Sequence, residues 1–510
     1  MWLGAECRDG KAEEAERPAG GGDGGGSQSL HTTAMARDRR EAVAGVGEGR
    51  RAKPARGKGG RKWNGGRPEM TQGTVPTVPA SAKQGTEALN RDWGWVEASV
   101  WTEAMVSALG NGVKGGKWFS LIDKVIRPTT LEQAWLRVAR NKGAAGVDGQ
   151  SIALFAHQAD RYLQELQAAL RTGRYRPQPV RRVDIPKADG KTRPLGIPTV
   201  KDRIVQTAVK LVIEPILEAR FRDGSYGFRP GRSARDALRA VDRGLEDGYT
   251  WVVDADLEQY FDTIPHRGLM DRVADLISDG RVLDLIESFL QQDILAEAAR
   301  WTPAAGSPQG AVISPLLSNL YRHPLDEAME AGGHRMIRYA DDFVILCRDE
   351  AEARAALDRV RTWVAENGLT LHPDKTHVAD CRQAGQGFDF LGYRFENGRR
   401  FVRRRSLTAF KDKVRAKTGR SRGDSLGRVI EDLNPMIRGW FGYFKHARPR
   451  LFVKLDGFIR RRLRAFLRKQ SRRPGFGKCH ADHQRWPNAF FAQEGLFTLY
   501  TAYQEARHSR

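Results

Sequence analysis

Two adjacent aspartates, Asp341 and Asp342, stand in "MIRYADDFVILCR" between two apolar runs, Met336 to Ala340 and Phe343 to Leu346, each of which reads as a buried strand. Together the runs predict a β-hairpin with both carboxylates at its tip. Two readings of that tip are open. In the first, aspartate is simply a solvated turn residue. In the second, the charges have a task. Two carboxylates about 4 Å apart repel by roughly 4 kcal/mol at an effective dielectric near 20, and apolar flanks raise that cost by keeping water away. A bound divalent cation reverses its sign. The second reading therefore calls for a third carboxylate from another part of the chain.

Residues 249–262, "YTWVVDADLEQYFD", offer one. They read as a β-rich segment running into a turn, with Asp256 at the strand's end and Phe261 five residues later. Pro265 suits the first turn of the following helix, "HRGLMDRVADLI". Further on, "GSPQGAVISPLLSNLYRHPLDEAM" predicts a Gly/Pro loop feeding a helix, with Ser314 as N-cap and Pro315 in the first helical position. Upstream, "RYRPQPVRRVDIPKADGKTRPLGIPT" predicts two strands joined by "KADGK". After it comes a helix over "KDRIVQTAVKLVIEPILEARF", interrupted late by Pro215. The stretches "TEALNRDWGWVEASVWTEAMVSAL", from Thr86, and "TTLEQAWLRVARN" carry helical spacing.

A chain of 510 residues predicts two to four domains. Its net charge of +23 points to a polyanionic partner, nucleic acid first and an acidic membrane surface second. The charge is concentrated: residues 401–473 hold 23 lysines and arginines against 5 acidic residues. No apolar run approaches the length of a membrane span, and the N-terminus lacks a signal-peptide core. Four cysteines, scattered singly, suit a reducing compartment. The expected location is the cytoplasm, with no membrane partner. Residues 1–85, rich in Gly, Arg, Pro, Ala and Ser, read as a disordered leader, within which Met35 and Met70 offer alternative starts.

The succession "IPKADGKTRPLGIP", "SYGFRPGRSARDAL", "VVDADLEQYFDTIPH", "GSPQGAVISPLLSNL", "YADD", "LTLHPDKT" and "FDFLGYRF" resembles the reverse-transcriptase motifs of bacterial group II intron-encoded proteins. The similarity runs from about residue 86 to 510. It implies an α+β right-hand polymerase with fingers, palm and a helical maturase thumb. The expected parts are the leader 1–85, a helical extension 86–180, fingers and palm 181–396, a basic helical thumb 397–475 and a tail 476–510. The implied reaction is DNA synthesis on an RNA template from deoxynucleoside triphosphates, with Mg²⁺ in a two-metal site. By the same resemblance Asp256 and Asp341 bridge the cations and Asp342 adjoins them. Lys187 and Arg193 grip the triphosphate, Phe261 occludes a ribose 2′-hydroxyl, and Gln309 lies near nucleotide and template. Lys375 donates a proton to departing pyrophosphate.

In the basic segment Trp440, Phe441, Tyr443 and Phe444 interleave with Arg438 and Lys445. The resemblance implies that this thumb grips intron RNA, and Arg438, Lys445, Arg460, Arg461 and Arg462 are the expected contacts. Implied partners are group II intron RNA, an RNA template with a DNA or RNA primer, and target DNA, with roles in splicing and retrohoming. Cys479, His480 and His483 are too few for a zinc site. The paired cysteines of the HNH endonuclease found in some relatives are missing, so no DNA-cleaving domain is expected. Two rival functions remain: a free-standing reverse transcriptase used in defence or repair, and an RNA-binding splicing cofactor without polymerase activity. Intact Asp256, Asp341, Asp342 and Gln309 count against the latter.

Overall fold

The computed structural model describes residues 93–186, 192–296, 299–307 and 309–508. The expected leader 1–85, with Met35 and Met70, and the expected triphosphate ligand Lys187 lie outside the described residues.

Helical spacing in the N-terminal part produces helices at Glu103–Asn111, Pro128–Arg140 and Ala159–Arg171. In the described part of the stretch from Thr86, residues 93 onward, the helix starts only at Glu103. Thr102 caps the helix by accepting the Met105 amide, and Trp93 to Val100 form turns before it. The next long helix, Val200–Glu218, is buried along almost its whole length, polar residues such as Asp202, Gln206 and Glu214 included. Pro215 does not interrupt it. A proline leaves the carbonyl four residues earlier without its helical donor, and here the Trp101 indole donates to that carbonyl, Leu211 O, at 3.0 Å.

That contact yields a test. Trp101→Phe is expected to destabilise the fold by about 1–3 kcal/mol, because it leaves a buried carbonyl unsatisfied. Adding Pro215→Ala restores a backbone donor to Leu211 O, so the double variant should recover part of the loss in urea unfolding. Additive losses would show that the proline–tryptophan pairing is coincidental.

Eleven strands appear among the described residues: β1 (Val180–Pro186), β2 (Thr192–Ile197), β3 (Trp251–Asp256), β4 (Ile294–Ala296), β5 (Ala299–Trp301), β6 (Arg335–Tyr339), β7 (Asp342–Cys347), β8 (His377–Asp380), β9 (Phe388–Phe390), β10 (Tyr393–Glu396) and β11 (Arg399–Val402). They form three sheets, in the orders β2-β1-β4-β5, β6-β7-β3-β8 and β11-β10-β9. The second is antiparallel throughout and separates two cores. Strand alternation explains how. Val253, Ala255, Phe343, Ile345 and Cys347 point into the larger core, with the helices Ser314–Ala331 and Glu350–Glu366. Val252, Val344 and Leu346 point into the other, which the third sheet and the C-terminal helices complete.

Two expectations shift. Ile313, not Ser314, is the N-cap of the helix Ser314–Ala331. Ser314 is its first residue, and its Oγ pairs with Ser307 Oγ at 2.6 Å. Residues 476–510, expected as a separate tail, share the second core through Trp486, Phe491, Leu496 and Leu499. Asp456, on the long helix Pro449–Gln470, accepts the amides of Leu499 and Tyr500, both at 2.9 Å, at the start of the last helix, Leu499–His508. No helix is long and apolar enough to cross a membrane among the described residues.

Candidate active site

The second sheet brings the expected aspartates together by register. Asp256, the last residue of β3, lies directly across from Asp342, the first of β7. Asp342 also pairs with Tyr339, which leaves Ala340 and Asp341 as a two-residue turn with Ala340 at φ 58°. Alternation sets Asp254, Asp256 and Asp342 on one face of the sheet, the face covered by the β9–β10 hairpin.

Electrostatics confirm the crowding. Burial first, then the neighbouring Asp254, Asp341 and Asp256, push the Asp342 carboxyl well above its ordinary range. Burial, Asp389 and Asp256 push Asp254 up to about 7. Asp254 and Asp389 were missed in the sequence. The i, i+2 spacing in "VDAD" already placed Asp254 beside Asp256 on a strand, whereas Asp389 reaches the group only through the third sheet.

Three supports hold the cluster. Lys375 Nζ lies 2.7 Å from Asp256 Oδ2, both side chains partly exposed. The Leu391 amide donates to Asp342 from the turn between β9 and β10, where Leu391 and Gly392 both have positive φ. Tyr443 Oη, on the helix Leu426–Phe444, donates to Leu391 O at 2.8 Å, tying that helix to the same turn.

Behind the aspartate turn, the "SYGFRPG" loop runs against β6. The Arg338 amide donates to Gly224 O and the Tyr226 amide to Arg338 O, each at 2.8 Å. A Cβ on Gly227 would stand 2.1 Å from Ala340 N, so only glycine lets the loop approach so closely. Below lie two fully buried arginines. Arg338 forms a fork on Asp326, with Nε to Oδ1 at 2.8 Å, and donates to Asn319 at 2.8 Å. Arg322 stacks over Tyr260 at 4.1 Å. Burial lowers its guanidinium to about 10, while Tyr260 and Asp341 pull it back up.

A second group forms at the edge of the first sheet. Arg193 Nε donates to Gln309 Oε1 at 2.8 Å, and Gln309 Nε2 donates to Asp262 Oδ2 at 3.0 Å. The Gly196 amide donates to Gln309 O, which fastens the "SPQG" loop to β2. Asp262 was not singled out in the sequence; its carboxyl is raised by burial against the opposing hydrogen bond from Gln309. Phe261, beside it, is 5% exposed, and its carbonyl accepts the Ser307 amide at 2.7 Å. The structure thus joins Arg193 with Gln309, and Asp256 with Asp341, Asp342 and Lys375.

The expected RNA contacts divide. Arg438 is exposed and stacks on Phe497 at 4.5 Å. Lys445 is half-buried at the end of its helix. Arg460 is half-buried near Asp456, and Arg461 lies over Phe458 at 5.5 Å. Arg462 is committed to the protein: it donates to Thr418 Oγ1 at 3.0 Å and to Thr418 O at 2.8 Å, closing the end of the helix Arg404–Lys417.

The donor set around the aspartate turn is all oxygen, which suits a hard divalent cation. Its like charges stand close enough to raise one another. Among the described residues no three His, Cys, Asp or Glu side chains form a group that could hold a metal ion, and the Lys375 ammonium pairs with Asp256.

Comparison with known proteins agrees with this geometry. Residues 185–395 match the family model "Reverse transcriptase (RNA-dependent DNA polymerase)", and residues 407–486 match "Group II intron, maturase-specific domain". The chain is 36% identical to Protein YkfC of Escherichia coli over 316 residues, covering 54% of this chain and 82% of that protein. It is 37% identical over 206 residues to Group II intron-encoded protein LtrA of Lactococcus lactis, covering 40% of this chain and 34% of that protein. A solved structure titled "Partial Cas6-RT-Cas1--Cas2 complex" is 29% identical over 48% of this chain and 41% of that one, at a TM-score of 0.31 that gives it no weight. A palm sheet with facing aspartates, matched as a reverse transcriptase, defines an RNA-directed DNA polymerase of the right-hand class. With a maturase domain following it, the chain belongs to the family of group II intron-encoded reverse transcriptase/maturases. Members of the polymerase family generally use divalent metal ions.

Proposed function

We propose that the protein copies RNA into DNA at the Asp256, Asp341 and Asp342 cluster, and that its thumb binds the RNA of its host intron to promote splicing and retrohoming. The observation that carries the first part is the β3–β7 register, which sets Asp256 opposite Asp342 with Asp341 at the adjoining turn. These three residues are the ones that would hold Mg²⁺. When bound, it supplies charge neutralisation on the triphosphate and a lowered pKa for the primer's 3′-hydroxyl. The chain's own groups do the positioning. Arg193, oriented by Gln309, directs its guanidinium at the triphosphate, and Asp262 sets the direction of the Gln309 amide. Lys187 acts with Arg193 on the triphosphate. Phe261, packed under the "SPQG" loop, excludes a ribose 2′-hydroxyl. Lys375 keeps a proton donor at the edge of the carboxylates. The partners are intron RNA, a primed RNA template and target DNA, in the bacterial cytoplasm.

The charge excess in residues 401–473 supports the second part. Neutralising several phosphates makes affinity fall steeply with salt. The test takes RNA transcribed across the gene's own locus, at low Mg²⁺. Wild-type protein is expected to accelerate ligation of the exons, with affinity falling by about 10³ or more between 50 and 200 mM salt. Primer extension on RNA without any gain in splicing would move the reading to a free-standing reverse transcriptase. Splicing without extension would move it to a splicing cofactor.

A further inference from the structure

Among the described residues Phe476 is the most exposed of the large apolar side chains, at 67%. It sits in "RRPGFGKC", the connection between the helices Pro449–Gln470 and His480–Arg485. The connection is pressed onto the first of these helices. A Cβ on Gly477, whose φ is 71°, would lie 2.6 Å from Ala465 N and 2.9 Å from Arg464 C. The Arg468 Nε donates to Pro474 O just before the ring. Phe476 is therefore held outward by its backbone.

One guanidinium lies on this ring, and a group of others stands beside that one. Arg420 lies over Phe476 at 5.1 Å, and its Nε is shielded from solvent with no hydrogen-bond partner among the described residues. Arg415 and Arg461 lie over Phe458 at 5.6 and 5.5 Å. Arg462, anchored on Thr418, has its pKa lowered by burial first and then by Arg461, Arg415 and Arg420, so the four charges are close neighbours. Asp412 pairs with Arg415. The remaining cations repel one another, and a polyanion lowers that cost. An aromatic face held at the surface suits a base, since every base offers a π-face, and arginines beside it suit the phosphates on either side.

We propose that Phe476 and Arg420 form a stacking platform for one unpaired RNA base, with Arg415 and Arg461 on the flanking phosphates. The proposal rests on the reading of this thumb as RNA-binding and names where a bulged or looped nucleotide docks. A purely double-stranded RNA would leave the ring in water, so the platform distinguishes bulged from uninterrupted helices.

The test uses the full chain and two short RNA duplexes, identical except that one carries a single bulged 2-aminopurine. Wild type is expected to bind the bulged duplex about tenfold more tightly and to quench its fluorescence. Phe476→Ala should erase both the preference and the quenching while leaving binding of the uninterrupted duplex within about twofold. Phe476→Trp should preserve both, which separates stacking from any loss of fold. Quenching and preference that persist in Phe476→Ala would overturn the platform. Equal binding of both duplexes by wild type would also overturn it, leaving RNA binding intact. Failure to bind either RNA at about 0.1 M salt would overturn the RNA-binding reading as well. Phe476-dependent binding to phosphatidylserine vesicles in place of bulged RNA would assign the ring to a membrane surface and overturn the proposal.

Discussion

Asp341→Ala should lower primer extension on an RNA template by about a thousandfold or more, while binding to structured RNA changes by less than about twofold. The loss follows from what remains. Asp342 sits in a crowded, water-poor position that favours its neutral form, and Asp256 is held by Lys375. Removing the turn carboxylate leaves too little negative charge to hold a divalent cation against that ammonium. A catalytic term of about 4 kcal/mol corresponds to about 10³ in rate. RNA binding is spared because the arginine-rich helices between Arg404 and Gln470 do not include the turn. Thermal unfolding should confirm that the variant is folded, since Asp341 occupies a half-exposed two-residue turn. Extension at more than a few per cent of wild type would remove Asp341 from the site.

The largest stability effect is expected under the same hairpin. Arg338 is fully buried and the Asp326 side chain is 5% exposed. Arg338→Ala strands the Asp326 carboxylate away from water and takes a donor from Asn319, which itself donates to Gly227 O at 2.8 Å. Breaking such a pair from one side costs about 3–5 kcal/mol, which denaturant titration measures directly. Replacing both partners, Arg338→Met with Asp326→Leu, removes the stranded charge and should recover most of the loss. A single variant within about 1 kcal/mol of wild type would mean that water reaches the pair. The pair also has a functional side. Arg338 lies three residues before Asp341 and carries the two backbone bonds that dock the "SYGFRPG" loop. Even folded Arg338→Ala molecules should therefore extend primers more slowly.

Much of this site was legible because its signals are local. The apolar runs around Asp341 and Asp342 alternate over a few residues, and the hairpin formed within one residue of its expected ends. Asp256 could be found because a strand pattern stops there. Other features depend on partners far along the chain. Nothing near Pro215 says that the Trp101 indole will accept the place of a missing helical donor. Asp262 reads as a surface carboxylate until Gln309 and Arg193 arrive from other segments. Arg462 looks like any arginine of a basic helix, yet it spends its donors on Thr418. The last 35 residues read as a tail because no sustained helical or strand pattern shows what would cover their apolar residues. They bury Phe491 and Leu499 only against a core built by others.

By itself, the sequence determined the strands and helices, the charge that selects a polyanion, and the aspartates at strand ends, because periodicity and composition act over a few residues. Only the tertiary structure decided which carboxylates become neighbours. Asp254, Asp256 and Asp342 share one face because β3 and β7, some ninety residues apart, pair in a register with Asp256 opposite Asp342. A slip of one residue would turn every side chain on β7 to the other face. The register is held by two cores that accept apolar side chains from opposite faces of the sheet. Long-range packing, which no short stretch encodes, thus turns scattered acidic residues into a site.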